Sequence, residues 1–265
     1  MNPAAKLLAA LALILTLSVP GFATELVVAA ASDLSNAAKD IVSDFQKKTA
    51  HAVRLSLGSS GNFHAQIVNG APFDVFLSAD LSYVRDLEKA GLTEPGSVYT
   101  YAIGRIVLWV PKDSSLDIQS LGMKALTQPQ ARRIAIANPN HAPYGRAAVA
   151  AMEKAGIYSA AKSRLVLGEN ISQAAQFVQS GAADIGIVAL SFALSEPMKS
   201  QGKYWEIPID SYPRMEQGAV ILKQAQRAGH GAAAAEFLEM LRSAAWRAIL
   251  QRYGFSIAPA SGATR

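Results

Sequence analysis

From Thr24 onward the chain alternates short β-rich runs with helical patterns, and this alternation restricts the fold more than any other feature. A strand, a helix and then another strand return the chain in one direction, so the reading is an α/β fold with largely parallel sheets. The first unit is clear. Leu26 to Ala30 (LVVAA) is a buried-strand pattern, and Leu34, Ala37, Ala38, Ile41, Val42 and Phe45 then recur at three- and four-residue spacing on one helical face. Ser32 and Asp33 stand between the two, where helix N-caps belong.

A second unit runs from a strand at 53–57 through Gly58-Ser59-Ser60-Gly61-Asn62 into a short helix carrying Phe63, Ile67 and Val68. A strand at 74–78, a helix at 81–90 and a strong strand at 103–110 follow. The pattern restarts at 133–137, where the turn from Asn138 to Gly145 leads into a helix through Ala155. A strand at 165–167, the turn Gly168-Glu169-Asn170, a helix carrying Ile171, Ala174, Ala175 and Val178, and a strand at 184–188 complete it. After runs at 205–208 and 218–222 the chain finishes with helices at 232–241 and 245–253.

With 265 residues, 51% of them hydrophobic, the chain can close a sizeable core divided between two lobes. It contains no internal repeat, heptad or low-complexity linker, and the Ala/Gly-rich stretch from Ala228 to Ala235 reads as a helix start. The lobes must then be joined without a flexible tether. Crossings near Tyr101 to Gly104 and near Pro213 to Gly218 are the candidate hinges, which assigns residues 24–102 and 217–265 to lobe I and 103–216 to lobe II.

Residues 1–23 read as a secretory signal peptide: Lys6, an apolar stretch from Leu7 to Val19, Pro20, then Gly21 and Ala23 flanking Phe22, with cleavage after Ala23. The apolar stretch is short of the roughly 20 residues that span a bilayer. The mature chain is thus expected in the periplasm. Its charge, 5 − 1 = +4 after loss of Lys6, is scattered singly or in pairs such as Lys47-Lys48, unlike the patch or stripe of a nucleic-acid binder, so no nucleic-acid partner is expected.

Zero cysteines exclude thiol nucleophiles, Fe–S clusters and zinc-thiolate sites. No G-x-S-x-G, P-loop, G-x-G-x-x-G or H-E-x-x-H motif occurs, and the four histidines are spread singly. Ser159-Ala160-Ala161-Lys162 and Ser200-Gln201-Gly202-Lys203 match S-x-x-K without its companion motifs. The chain is read as no enzyme.

What remains is a set of strand-to-helix turns rich in hydroxyls: Ser32, then Ser59 and Ser60, then Tyr144-Gly145. At a helix N-terminus backbone N–H groups lack internal partners and the macrodipole leaves partial positive charge, so an anion can be held by neutral donors. Open α/β sheets carry their ligand crevice at the carboxyl ends of strands, and several such turns facing one another would line a cleft between lobes with donors. A small oxyanion fits that chemistry; plain capping serines are the alternative.

Several segments together resemble the molybdate-binding periplasmic proteins of ATP-binding-cassette importers. They are Ala29-Ala30-Ala31-Ser32-Asp33-Leu34, Gly58-Ser59-Ser60-Gly61, the run from Gly70-Ala71-Pro72-Phe73-Asp74 to Ala79-Asp80, Asn138-Pro139 through Pro143-Tyr144-Gly145, Ala183-Asp184-Ile185-Gly186, and Arg252-Tyr253-Gly254-Phe255. The resemblance covers nearly the whole mature chain. It implies a type II solute-binding protein of two α/β lobes with a ligand cleft between them, capturing molybdate or tungstate for a membrane permease. A receptor for another tetrahedral oxyanion, such as sulfate or phosphate, is the alternative, and a serine hydrolase ranks below it.

Carried over by position, the resemblance makes Ser32 and Ser60 donors from the first lobe, with the Asp33 amide beside Ser32; a proton-free anion needs no acceptor carboxylate facing it, so the Asp33 side chain is expected to point outward. From the second lobe it implies Tyr144 and the backbone amide of Ile171. Some relatives offer a tyrosine hydroxyl where this chain has Ala189, which leaves the Tyr144 phenol to supply that donor from a different turn. Molybdenum would enter only as the oxyanion, with no protein ligand on the metal and no cofactor. The protein is expected to be a monomer.

Overall fold

The computed structural model describes residues 23–257; the expected export signal lies outside them apart from Ala23. The strands are β1 Glu25–Ala31, β2 Ala52–Gly58, β3 Val75–Ser78, β4 Tyr99–Gly104, β5 Ile106–Pro111, β6 Ile134–Ala137, β7 Leu165–Gly168, β8 Ile185–Ala189, β9 Gly202–Glu206 and β10 Met215–Ile221. The longer helices are α1 Ser35–Lys48, α2 Ser60–Val68, α3 Leu81–Lys89, α4 Pro143–Lys154, α5 Ile171–Gln179, α6 Gly231–Arg242 and α7 Ala244–Arg252.

Two five-stranded sheets form, in the orders β2-β1-β3-β10-β4 and β7-β6-β8-β5-β9. In the first, β1 runs parallel to β2 and β3, and β10 runs antiparallel to β3 and β4. In the second, β6 runs parallel to β7 and β8, and β5 runs antiparallel to β8 and β9. Each sheet is therefore mixed but mostly parallel, with one reversed strand in the same place. This is the two-lobed type II arrangement.

The continuous apolar run of β1 is explained by burial on both faces. Leu26, Val28 and Ala30 pack with Ala37, Ala38, Ile41 and Phe45 of α1 and with Phe237 and Trp246 of α6 and α7. Val27 and Ala29, pointing the other way, pack with Phe63 of α2 and with Leu81, Val84 and Leu87 of α3. Phe45, Phe237 and Trp246 meet edge to face, with centroids 5.2 Å apart for two of the pairs. The last two helices thus cover the first sheet, not the second.

The sequence run at 103–110, read as one strand, is two. β4 ends at Gly104 in the first sheet and β5 starts at Ile106 in the second, so the chain changes sheets at Arg105. The return lies between Glu206 and Met215. Met215 pairs with Gly104 and Glu216 with Ile103, so these four residues belong to the first sheet, one or two positions away from the boundaries read from sequence. Gly218, placed at a hinge by the sequence, lies inside β10, where the register slips between Gln217 and Gly218.

Candidate functional site

Five strand-to-helix turns, three from the first sheet and two from the second, converge on one small cavity of about 10 Å³. That is well below the ~300–1,000 Å³ of pockets for drug-sized ligands. Ser32, Asp33, Ser60, Tyr144 and Ile171 all line it, together with small residues such as Ala79. No lysine, arginine or histidine lines it. Among the described residues no group of three or more histidine, aspartate or glutamate side chains could hold a metal ion.

Each turn prepares its donors differently. Gly58 closes β2, Ser59 is the extended residue that starts α2, and Ser60 is its first helical residue, fully buried. The Ser60 hydroxyl accepts from the Ala79 amide at 2.9 Å, so its own proton is directed elsewhere. In α4, Pro143 takes the first helical position and has no N–H, which makes the Tyr144 amide the first of that helix. Asn170 caps α5 by accepting from the amides of Ser172 and Gln173 at 3.0 and 3.1 Å, so the Ile171 amide is not used by the cap. Ser32 opens a single 3-10 turn, Ser32–Leu34.

Two local expectations fail. Ser32 and Asp33 do not cap α1, which starts after Leu34 without any side-chain cap. Asp33 does not point outward either; it is 1% exposed. Its Oδ2 accepts from the Tyr144 hydroxyl at 2.8 Å and from Gln217 Nε2 at 2.6 Å. The Tyr144 phenol, expected to face an anion, is therefore committed to Asp33. A buried carboxylate is costly unless hydrogen-bonded, and that cost places the side chain inward, on the two donors that can reach it. Gly104 makes room for them: a Cβ there would stand 2.5 Å from the Tyr144 hydroxyl oxygen.

Burial pushes the Asp33 carboxyl up to about 6, against the opposing pull of Gln217, Tyr144 and the amides of Asp33 and Leu34. Burial and then the Asp33 charge push the Tyr144 hydroxyl well above its ordinary value. Burial likewise raises Tyr101, whose hydroxyl donates to Gln217 Oε1 at 2.8 Å. Both phenols stay protonated as donors, which orients the Gln217 amide with its N–H groups toward Asp33.

Around this centre the lobes are bonded to each other. The Gly61 amide donates to the His141 carbonyl at 2.9 Å, and the Ser191 hydroxyl donates to the Asp33 carbonyl at 2.7 Å. Arg146 of α4 pairs with Asp80 and donates to the Tyr83 hydroxyl at 3.0 Å, and Asn62 bonds Glu169. Sequence reasoning found neither Gln217 nor Ser191 nor His141. Each acts through a partner more than 70 residues away, which no local pattern shows.

His141 Nδ1 lies 2.9 Å from the Ser59 hydroxyl, and Glu169 Oε2 lies 3.8 Å from His141 Nε2. A serine, a histidine and an acid thus come together, although no sequence motif links them. Ser59 and His141 come from opposite lobes, so their contact ties the two lobes to each other.

Two topologically equivalent α/β lobes, crossed twice by the chain and bonded across a donor-lined cavity, define a solute-binding protein. The family model for bacterial extracellular solute-binding proteins matches residues 26–256, and the chain belongs to that family. It is 39% identical over 246 residues to the molybdate-binding protein of Rhodobacter capsulatus, covering 93% of this chain and 94% of the relative. It is 40% identical over 235 residues to that of Azotobacter vinelandii, covering 89% and 91%. The solved structure of the Azotobacter vinelandii periplasmic molybdate-binding protein superimposes with a TM-score of 0.80 at 37% identity, over 88% of this chain and all of that one. The family resemblance drawn from the sequence motifs agrees with these relatives.

Proposed function

We propose that this protein captures molybdate or tungstate in the periplasm and delivers it to the permease of an ATP-binding-cassette importer, acting as a monomer and without a covalent step. The observation that carries the reading is the convergence of five turns, three from the first lobe and two from the second, on a cavity lined by neutral donors and no cation. The donors proposed for the anion are the hydroxyls of Ser32 and Ser60 and the amides of Asp33, Tyr144 and Ile171. Hydrogen bonds to a charged partner contribute about 1.5–3 kcal/mol each, net of the water they replace, so five of them suffice for tight binding. The relatives at 39% and 40% identity carry molybdate in their names, which supports this ligand over other oxyanions. Among the described residues no helix is long and apolar enough to cross a membrane.

Opening the lobes admits the anion; closing them brings the two turns of the second lobe onto it and excludes water, and the shut form is what the permease reads. Without a lysine or arginine on the ligand, release needs no buried ion pair to be broken. Thermal melts of the mature, anion-stripped protein test the ligand: molybdate and tungstate raise the melting temperature strongly, sulfate and phosphate weakly. Equal shifts for all four anions would defeat selection by cavity size.

A further inference from the structure

Asp33 poses a problem that the oxyanion reading makes sharper. Its carboxyl is fully buried, it lines the same cavity as the proposed donors, and no lysine, arginine or histidine bonds to it among the described residues. Both of its side-chain hydrogen bonds go to Oδ2, and Oδ1 is buried with no hydrogen-bond partner. A dianion brought into this cavity would face a third negative charge across a medium of low dielectric.

We infer that Asp33 is the charge-compensating residue of the site: anion capture is accompanied by uptake of one proton from solvent onto the unpartnered Asp33 Oδ1. The inference rests on reading the cavity as an oxyanion site. The proton bonds to Oδ1, the carboxyl becomes neutral, and the charge of ligand plus Asp33 falls by one unit. Oδ2 keeps both lone-pair acceptances, so the bonds from Tyr144 and Gln217 survive and the lobes stay tied at the same place. Burial already holds this carboxyl up near about 6 without any anion, and a dianion beside it pushes in the same direction.

The groups that face Asp33 cannot take the proton in its stead. Tyr101 from β4 and Tyr144 from α4 are raised phenols that are already protonated, as is Tyr212 behind Tyr144. Gln217 from β10 and Ser191 from the short helix Leu190–Ala193 do not titrate, and α5 carries no ionisable residue. On α1, Asp40 pairs with Arg252, Asp44 pairs with Lys48, and Lys39 is exposed. His141 lies on the Ser59 side of the cleft, bonded to Ser59 and not to Asp33.

The test is calorimetric titration of the mature, anion-stripped protein with sodium molybdate at pH 6 to 8.5, in buffers of different ionisation enthalpy. The parent takes up about half a proton per molybdate at pH 6, where the free carboxyl is already about half protonated, and up to about one at higher pH, and its affinity falls by up to about tenfold per pH unit where the linkage is complete. Asp33→Asn binds molybdate with no proton uptake and a flat pH profile, and more tightly than the parent at the alkaline end. His141→Gln keeps the uptake. Molybdate binding by the parent without proton uptake overturns the inference, as does uptake that survives in Asp33→Asn or disappears in His141→Gln. Should Asp33→Asn not fold, the parent and His141→Gln decide between the two groups. A parent that gives no molybdate heat at all fails the oxyanion reading itself, and the inference falls with it.

Discussion

At the centre of the cleft Ser32, Ser60, Tyr144 and Ile171 surround the cavity with hydroxyl and main-chain groups and no cation. On the same and neighbouring turns the rim is ionic: Arg146 pairs with Asp80, Asn62 bonds Glu169, and His141 stands between Ser59 and Glu169. The centre is buried, where each donor aimed at a charge counts fully, whereas the rim is part-exposed, where ion pairs contribute little. Affinity should therefore reside in neutral groups, and the charged groups should mainly adjust how firmly the lobes hold together. Gly61 belongs to both regions, since its amide crosses the cleft to the His141 carbonyl.

Gly61→Val should break the comparison hardest. A Cβ at this position would stand 2.4 Å from the His141 carbonyl oxygen, a backbone atom that cannot swing aside. Lobes held apart lose the donors of the second lobe, at least two charged hydrogen bonds, so molybdate affinity drops by more than about a hundredfold. Small-angle scattering should show that the anion no longer compacts the molecule; compaction with affinity intact would mean that the observed cleft contact is not needed for binding.

Ser60→Ala sharpens the centre. The methyl side chain strands the Ala79 amide that now donates to the Ser60 hydroxyl and removes a donor to the anion, so calorimetry should read at least about a tenfold loss. Unchanged affinity would return Ser60 to a structural role.

Arg146→Ala tests the rim and should have the smallest effect. Arg146 is part-exposed, and an exposed ion pair contributes about 0–1 kcal/mol, which corresponds to a loss of up to about fivefold. That loss should shrink further in high salt. A change as large as that of Ser60→Ala would place binding energy at the rim and reverse the division drawn above.

Much of the fold was legible because burial on two faces of a parallel sheet writes itself as short unbroken apolar runs, of which Leu26 to Ala30 is the plainest. The run from Ile103 to Val110 misled for the same reason. It is equally apolar on either side of Arg105, and the change of sheet leaves no trace in hydrophobicity. The position of Ser60 and Ile171 at helix starts was readable from turn chemistry and from the family motif. The inward Asp33 was not, because a Ser-Asp pair before a helix has the pattern of a cap, and only a tyrosine and a glutamine brought from far along the chain give its carboxyl somewhere to go.

Apart from the break at Arg105, the order of strands and helices, the hydroxyl-rich turns between them and the want of any nucleophile or metal-ligand motif are properties of neighbouring residues, and local sequence was enough to determine them. Which turns face each other, where the chain passes between sheets, and that Asp33, Tyr144 and Gln217 share one buried set of bonds depend on contacts between residues 73 to 184 positions apart. Such contacts form only when both lobes are complete, since a carboxylate can be buried only after the groups that satisfy it have been folded into place.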